Sequence, residues 1–286
     1  MYGRTEVRML SVALIMASHN RAELTEHCVR SILQQLTGDY QVRVWVADAS
    51  SNNDTRNRLS NVDGPVSVEP LPADWFWAQS MSHVEVRALE EDPQILVWIN
   101  DDVALEDGAL ARLISVWEAR PEKSNTVVVG SMRGAEGSIT YGGIRLGYPV
   151  TRWEHITPSS GPISADAANG NLLLIPTELL RRVGGLDSVF EHSYADFDWT
   201  LRATRAGAEI IVAPGWYGLC ERNPVGDSYQ APSITLAERY RRVLHRKGLP
   251  WRSHYRYVRR HAGPIWPALF AYPYLRISID HLLRRF

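Results

Sequence analysis

The sequence predicts an α/β fold in which a parallel sheet of βαβ units carries helices on both faces. Short, continuous apolar runs are typical of strands that are buried on both faces, and several of the stretches between them place apolar residues at helical spacing. The chain has 286 residues, of which 45% are hydrophobic and 22% are charged. It is therefore long enough to bury a large core, and its composition is that of an ordinary globular protein.

The first predicted strand covers residues 12–17 and is followed by Ser18-His19-Asn20. Leu24, Cys28 and Ile32 then recur at helical spacing, so we expect a strand, a turn and a helix. Further strands are predicted at 42–47, 95–99, 127–129, 172–175 and 210–213. Further helices are predicted at 109–117, from Pro176 to Gly184-Gly185, and at 197–206 before Gly207.

Residues 145–164 are rich in Pro, Gly, Thr and Ser, which predicts a long loop. Long loops without secondary structure are uncommon in compact domains, and many of them are active-site lids or binding loops. We therefore expect a lid or substrate loop here.

Polar residues follow three of the predicted strands where each strand ends. They are residues 18–20, Asp48 and residues 100–102. Ligands of open α/β sheets bind beyond the carboxyl ends of the strands, so these residues are expected to line one crevice. A single polar residue in such a place is more often a turn or a helix cap. Their convergence is what favours a site.

Asn100-Asp101-Asp102 is the first acidic cluster. Two adjacent carboxylates at the rim of a core repel each other, and a cation relieves that repulsion. Oxygen ligands of this kind suit Mg²⁺ or Mn²⁺, with substrate phosphates completing the shell. The alternative is that Asp102 or Asp107 merely starts the helix predicted at 109–117.

Asp196 and Asp198 form the second acidic cluster, with Arg202 close behind. Residues two apart on a helix point in different directions, so one carboxylate caps the helix or pairs with Arg202 while the other projects into the crevice. A carboxylate beside an acceptor hydroxyl is what general-base catalysis requires. The alternative is that both carboxylates only complement the helix dipole.

Cys28 and Cys220 are far apart in sequence and form no CxxC or metal-binding spacing, which favours a reducing compartment. The N-terminal residues lead directly into an apolar strand that is too short for a signal peptide or a membrane span. We therefore expect a cytoplasmic protein.

The chain as a whole has a net charge of −1, but residues 237–286 contain 12 Lys or Arg against 2 Asp or Glu. Two amphipathic basic helices are predicted there. In the first, Leu236, Tyr240, Val243 and Leu244 share one face, opposite Arg239, Arg241, Arg242, Arg246 and Lys247. In the second, Leu275, Ile279, Leu282, Leu283 and Phe286 lie opposite Arg276, Arg284 and Arg285.

Such helices suit an anionic membrane surface, here the inner face of the cell membrane. The alternatives are that the apolar stripes pack on the catalytic domain or on a second copy in a homodimer. No nucleic acid is expected as a partner, since no nucleic-acid-binding module is recognisable.

The order of motifs resembles the family 2 glycosyltransferases, which have the GT-A fold and invert the anomeric carbon. This resemblance implies a Rossmann-like α/β fold with a mixed, mainly parallel sheet and helices on both faces, followed here by the C-terminal basic helices. The shared elements are Ser18-His19-Asn20, Val46-Ala47-Asp48-Ala49-Ser50, the Asn100-Asp101-Asp102 variant of the DXD motif, Gly184-Gly185-Leu186-Asp187, and Ala195-Asp196-Phe197-Asp198 with Arg202. Three further segments resemble a bacterial surface-polysaccharide subgroup that contains rhamnosyl and galactosyl transferases: Trp75-Phe76-Trp77-Ala78, Thr140-Tyr141-Gly142-Gly143 and Cys220-Glu221-Arg222-Asn223.

The resemblance implies a UDP- or dTDP-sugar donor, a glycan or lipid-linked oligosaccharide acceptor, and Mn²⁺ or Mg²⁺ as cofactor. It implies that Asp196 is the base and that Asp102 is the metal ligand. The residues implied to bind the nucleotide are Ala17, Asn20, Asp48 and Asp101. The catalytic domain would cover 1–230, with a nucleotide-sugar half at about 1–130, an acceptor half at about 131–230, and the basic helices at 231–286.

Some positions depart from the family pattern. Ala195 stands where a Glu is common, and Asn100 stands in the first DXD position. The family often supplies a His as a further ligand, and here Glu221 could replace it as a ligand or Arg222 could neutralise the diphosphate directly. The residues expected to contact donor or acceptor sugar are Trp75, Trp77, Asn171, Asp198 and Arg222.

Other functions compete with this one. A sugar nucleotidyltransferase would need a Gly-rich phosphate loop, which residues 18–21 lack, and a dinucleotide oxidoreductase would need GxGxxG after an early strand. A catalytically weak nucleotide-sugar-binding subunit of a polysaccharide-synthesis complex is the non-catalytic alternative, suggested by Ala195 and Asn100.

Overall fold

The computed structural model describes residues 9–35, 38, 40–222, 229–231, 233–246 and 248–283. Its strands are β1 (Leu10–Ser18), β2 (Tyr40–Asp48), β3 (Val66–Pro70), β4 (Ile95–Ile99), β5 (Ala104–Leu105), β6 (Thr126–Arg133), β7 (Ile139–Tyr141), β8 (Gly143–Leu146), β9 (Trp153–His155), β10 (Ile163–Ala165), β11 (Ala167–Ala168), β12 (Leu172–Pro176) and β13 (Glu209–Leu219). Its α-helices are α1 (Ala22–Gln35), α2 (Asp54–Leu59), α3 (Trp77–Leu89), α4 (Ala109–Glu118), α5 (Thr177–Val183), α6 (Ala195–Arg205), α7 (Leu236–Val243), α8 (Trp251–His261) and α9 (Trp266–Leu282).

The central sheet has the strand order β10-β13-β6-β12-β4-β1-β2-β3. The four strands from β4 to β3 are parallel, and β6 and β13 are parallel to each other, while β12 runs antiparallel between β4 and β6. The predicted mixed, mainly parallel sheet is confirmed. The small second sheet has the order β11-β8-β9.

Both faces of the sheet are covered, as the apolar runs predict. In β1, Ala13 and Ile15 belong to one core and Val12, Leu14 and Met16 to the other. Helices α3, α5, α6 and α8 contribute to the first core, and α1, α2 and α4 to the second. Strands buried on both faces cannot alternate polar with apolar residues, which explains their continuous apolar sequences.

The prediction of a long loop at 145–164 is wrong. The segment contains β9 and parts of β8 and β10. Strands β8 and β9 pair with each other, and β10 pairs with β13, both antiparallel. Strands of three or four residues with mixed polarity, such as Trp153–His155, leave no periodic signal in a Pro- and Gly-rich sequence. Pro176 also differs from the prediction, because it caps α5 instead of occupying its first turn.

The C-terminal segment packs on the central sheet and its helices through α8. Tyr257 and Val258 are buried in the same core as β1 and α3. Arg239, predicted on a polar face, is instead buried and 2% exposed. Its guanidinium donates to the carbonyl oxygens of Tyr229 and Ala231, which offsets the cost of burying the charge.

A domain boundary at residue 230 stays a prediction. Among the described helices, none is long and apolar enough to cross a membrane. Asn223, Lys247, Arg284, Arg285 and Phe286 lie outside the described residues, as do residues 1–8.

Candidate functional site

A cavity of about 730 Å³ opens at the carboxyl edge of the parallel strands. Residues at the ends of β1 and β4, the turn before β12, the start of α6 and the segment before α3 line it. They include the predicted Ala17, Trp75, Trp77, Asp101, Asp102, Asn171, Asp196 and Glu221. One crevice therefore brings together the first acidic cluster and Asp196 of the second.

Strand register explains this convergence. Ser18 is the register partner of Asp48, so β1 and β2 end side by side. Because β12 is antiparallel to β4, its first residues meet the last residues of β4, and the Asn100 N–H donates to the Asn171 carbonyl at 3.2 Å. Residues before an antiparallel strand thus reach the same edge as residues after a parallel one.

Arg21 bridges the two carboxylates of the first acidic cluster. Its Nη1 donates to Asp102 Oδ2 at 2.6 Å and to Asp101 Oδ1 at 3.4 Å. Burial raises the pKa of Asp101 to about 7, a rise that Asp102 increases and Arg21 opposes. An arginine thus supplies charge compensation for which the sequence alone predicts a metal.

Asn100 faces a different partner. Its side-chain oxygen accepts a hydrogen bond from Trp77 Nε1 at 2.9 Å. The oxygen of the first DXD position therefore orients an indole in the cavity wall. Trp77 in turn meets Trp98, which is fully buried, edge to face at 6.4 Å.

The donor set for a divalent metal is sparse. No group of three or more His, Cys, Asp or Glu side chains placed to hold a metal occurs in the described part of the chain. Asp102 and Asp101 line the cavity, and Glu221 is tied by a hydrogen bond from the Ala135 N–H at 2.6 Å. This set fits Mg²⁺ or Mn²⁺ only if most ligands come from substrate phosphates and water, as is usual for Mg²⁺.

Asp196 lies at the start of α6, in the cavity wall. Its Oδ2 accepts from the Gly170 N–H at 3.0 Å and its Oδ1 from the Phe197 N–H at 2.9 Å. Burial raises the pKa of Asp196, and these two N–H groups oppose the rise. A carboxylate with a raised pKa and a fixed orientation is suited to accept a proton.

Comparison with known proteins identifies the family. The family model described as "Glycosyl transferase family 2" matches residues 13–161, just over half of the chain. The chain belongs to glycosyl transferase family 2. No curated protein matches the sequence significantly.

Two solved structures share the fold of this family 2 chain. One, GalNAc-T7 with UDP, GalNAc and Mn²⁺, is 15% identical with a TM-score of 0.59, and the match covers 93% of this chain but only 54% of that one. The other is the mannosyltransferase PcManGT from Pyrobaculum calidifontis in complex with GDP-Man and Mn²⁺. It is 20% identical with a TM-score of 0.54, and the match covers 92% of this chain and 69% of that one. At these identities the likeness concerns the fold alone.

Asp198 does not lie in the cavity wall of this family 2 chain, contrary to the prediction that it contacts a sugar. Its carboxylate is 0% exposed and pairs with Arg202 at 2.9 Å, Arg260 at 2.6 Å and His261 at 2.8 Å. As predicted, the two carboxylates have different surroundings: Asp198 pairs with Arg202, and Asp196 lines the crevice.

Three other predicted residues lie outside the cavity wall. The side-chain oxygen of Asn20 accepts a hydrogen bond from the Ser51 N–H at 3.0 Å. Asp48 is 6% exposed, and its carboxylate accepts a hydrogen bond from the Ser50 N–H. Arg222 donates to the Thr140 and Ile139 carbonyl oxygens. Local turns hold the first two, and a neighbouring strand holds Arg222.

The sequence reasoning missed several lining residues, among them Arg21, Tyr141, Asn169, Tyr194 and His245. Arg21 directly follows the polar end of the first strand, so its position could have identified it. Tyr141 belongs to the segment Thr140-Tyr141-Gly142-Gly143, whose resemblance to the polysaccharide subgroup was the available signal. Asn169, Tyr194 and His245 approach through tertiary packing, which leaves no local signal.

Proposed function

We propose that this family 2 chain is an inverting glycosyltransferase that moves a sugar from a nucleotide-diphosphate donor to a hydroxyl group. The observation that carries the proposal is that Asp102 and Asp196, from two distant parts of the sequence, line one cavity. A glycosyl transfer needs a charged partner for the leaving group and a base for the acceptor. The cavity offers a candidate for each.

In the proposed reaction the acceptor oxygen attacks the anomeric carbon of the donor. The bond from that carbon to the diphosphate oxygen breaks, and its electron pair leaves with the diphosphate. Asp196 takes the hydroxyl proton. The Gly170 and Phe197 N–H groups hold its carboxylate in place throughout. One displacement of this kind inverts the anomeric carbon and requires no covalent intermediate.

Asp102 would hold a divalent cation, with Asp101 beside it. Both fold relatives are complexes with Mn²⁺, which supports this proposal. When bound, Mn²⁺ or Mg²⁺ would neutralise charge on the departing diphosphate. The side-chain oxygen of Asn100 already accepts a hydrogen bond from Trp77, so we assign the cation to Asp102 and not to Asn100.

The aromatic lining of the cavity supports a carbohydrate acceptor. Trp75, Trp77, Tyr141, Trp153 and Phe197 place aromatic rings in the cavity wall. Aromatic faces pack well against the apolar face of a sugar ring.

We therefore propose a glycan or lipid-linked oligosaccharide acceptor, in the synthesis of a bacterial surface polysaccharide, with a UDP- or dTDP-sugar as donor. Each of the three segments that resemble this subgroup contributes to the cavity wall, through Trp75, Tyr141 and Glu221.

The test is transfer or donor hydrolysis with UDP-, dTDP- and GDP-sugars in Mn²⁺. We expect Asp196→Asn to lower kcat at least 100-fold, since a positioned base contributes roughly 10²- to 10⁴-fold. We expect Asp102→Asn to weaken metal-dependent donor binding measured by calorimetry. Asp92→Asn, at an exposed aspartate, is the matched control. Full transfer activity of Asp196→Asn would remove Asp196 as the base.

A binding subunit is the second candidate, favoured by the unusual Ala195 and Asn100. Donor binding by the wild-type protein without turnover, across acceptors that include lipid-linked oligosaccharides, would support that candidate.

A further inference from the structure

The charge of the cavity wall poses a problem for an anionic ligand. Four acidic side chains line it: Asp101, Asp102, Asp196 and Glu221. Among the lining residues that the structure describes, Arg21 is the one Arg or Lys. A nucleoside diphosphate brings at least two negative charges into this wall, so its binding depends on positive charge from the protein or from a bound cation.

Arg21 is placed to provide that charge. It stands between the end of β1 and the start of α1, at the strand edge where ligands of such sheets bind. Its side chain is 39% exposed, so it can contact a ligand in the cavity.

The Arg21 guanidinium also has N–H groups that make no hydrogen bond among the described contacts. Only Nη1 makes hydrogen bonds among the described contacts, to Asp101 and Asp102. A guanidinium carries five N–H donors, which leaves those on Nε and Nη2 for a ligand. Two parallel N–H groups of this kind match the oxygens of a phosphate group.

We propose that Arg21 binds the diphosphate of the donor and stabilises the negative charge that develops as the diphosphate leaves. This inference rests on the proposed function. The carboxylates of Asp101 and Asp102 hold the guanidinium at the cavity wall, so its orientation is set before the donor arrives. Diphosphate recognition by this chain is therefore shared between Arg21 and a cation at Asp102, and part of it persists without metal.

Binding of UDP, GDP and dTDP to the full chain, by calorimetry in EDTA and in Mn²⁺, tests the proposal. In EDTA we expect the wild-type protein to bind at least one of the three nucleotides. Arg21→Ala should raise that Kd about 10- to 100-fold, as expected for loss of hydrogen bonds to a charged group. The corresponding nucleoside, which has no phosphate, should bind both proteins equally. Arg30→Ala, which removes an exposed arginine of α1, is the control.

Two further variants separate direct contact from simple neutralisation of Asp102. Arg21→Lys keeps the charge but loses the paired donors, so it should bind with intermediate affinity. In the Asp102→Asn background, Arg21→Ala should still weaken nucleotide binding. An unchanged Kd for Arg21→Ala in that background would overturn the proposal, as would wild-type binding in Mn²⁺ with none in EDTA. Absence of binding in both conditions would instead count against the proposed function itself.

Discussion

Glu85 shows how one buried carboxyl group can set a pH limit on stability. It is 1% exposed, and its Oε1 accepts from the Leu186 N–H at 3.0 Å. Burial raises its pKa from 4.5 to about 7, although that N–H group opposes the rise. The folded state therefore binds a proton more tightly than the unfolded state. The stability due to this group is full below about pH 4.5 and is lost as the pH rises through about 7.

Replacing Glu85 with Gln should remove this pH dependence. We expect Glu85→Gln to unfold at a higher urea concentration than the wild-type protein at pH 8 and at a similar one at pH 5. The gain at pH 8 should be up to about 3 kcal/mol. Glu118→Gln, at an exposed helix position, is the control. A difference between the two proteins that is the same at both pH values would contradict the assignment.

The same contact gives a physical reason for the Gly-Gly-Leu-Asp motif. Gly184 ends α5 with φ +82°, in the region that favours glycine. A Cβ atom on Gly185 would lie 2.0 Å from Glu85 Oε1, so the carboxyl group occupies the space of a side chain. Leu186 supplies the N–H to Glu85, and Asp187 pairs with Arg256 and Arg260. The motif is recognisable from sequence, but its partners are not.

At the scale of elements, α8 holds the N-terminal turn of α6, which carries Asp196. Arg260 and His261 of α8 reach Asp198, and Tyr257 stacks on Tyr194 at a centroid distance of 4.5 Å. The sequence predicts that one of the two aspartates pairs with Arg202. It could not predict which one, because the deciding partners lie more than 60 residues away.

Neutralising Asp198 should therefore destabilise the fold and disturb the site together. Asp198→Asn leaves Arg202 and Arg260 without their buried carboxylate, and breaking such a network typically costs about 3 kcal/mol or more. We expect a lower unfolding free energy and a lower kcat. Asp92→Asn removes an exposed ion pair, which is worth little, and should change neither. Wild-type stability of Asp198→Asn would show that the network contributes nothing net.

The elements that the sequence predicts correctly are strands with continuous apolar runs and helices with apolar residues at helical spacing. Buried strands such as β1 and β4 and helices such as α4 follow directly from these patterns. The second sheet did not, because strands of two to four residues depend on pairing with distant segments for their stability.

At the scale of the whole molecule, the basic C-terminal segment faces the acidic body. Arg246 pairs with Glu191, Arg256 with Asp187, and Arg260 with Asp198. Arg246, predicted on a polar helix face, and two arginines of α8 therefore pair with carboxylates of residues 187–198. An apolar face of α9 is exposed: Tyr272, Leu275, Ile279 and Leu282, with Leu283 directly after the helix, are each at least 53% exposed.

We propose that this face of α9 lies on an anionic membrane, as the sequence suggests. Co-sedimentation with vesicles containing phosphatidylserine should be reduced in the variant Leu275→Ser with Ile279→Ser, since each buried apolar side chain contributes to the binding. Its melting temperature should stay close to wild type, because both side chains are exposed. Val86→Ser, on α3, is the control. Vesicle binding equal to wild type would contradict this use, and loss of a dimer in light scattering would assign the face to a second copy.

Three tryptophans extend from the cavity wall to the interior. Trp77 contacts Trp98 at 6.4 Å, and Trp98 contacts Trp199 of α6 at 5.2 Å. Indoles this close should couple their electronic transitions and contribute to the circular dichroism spectrum of the protein. Trp77 is also hydrogen-bonded to Asn100, which lies beside Asp101 and Asp102 in the cavity wall. Binding of a donor there should therefore alter the spectrum. We therefore expect circular dichroism to report an occupied site without any added label.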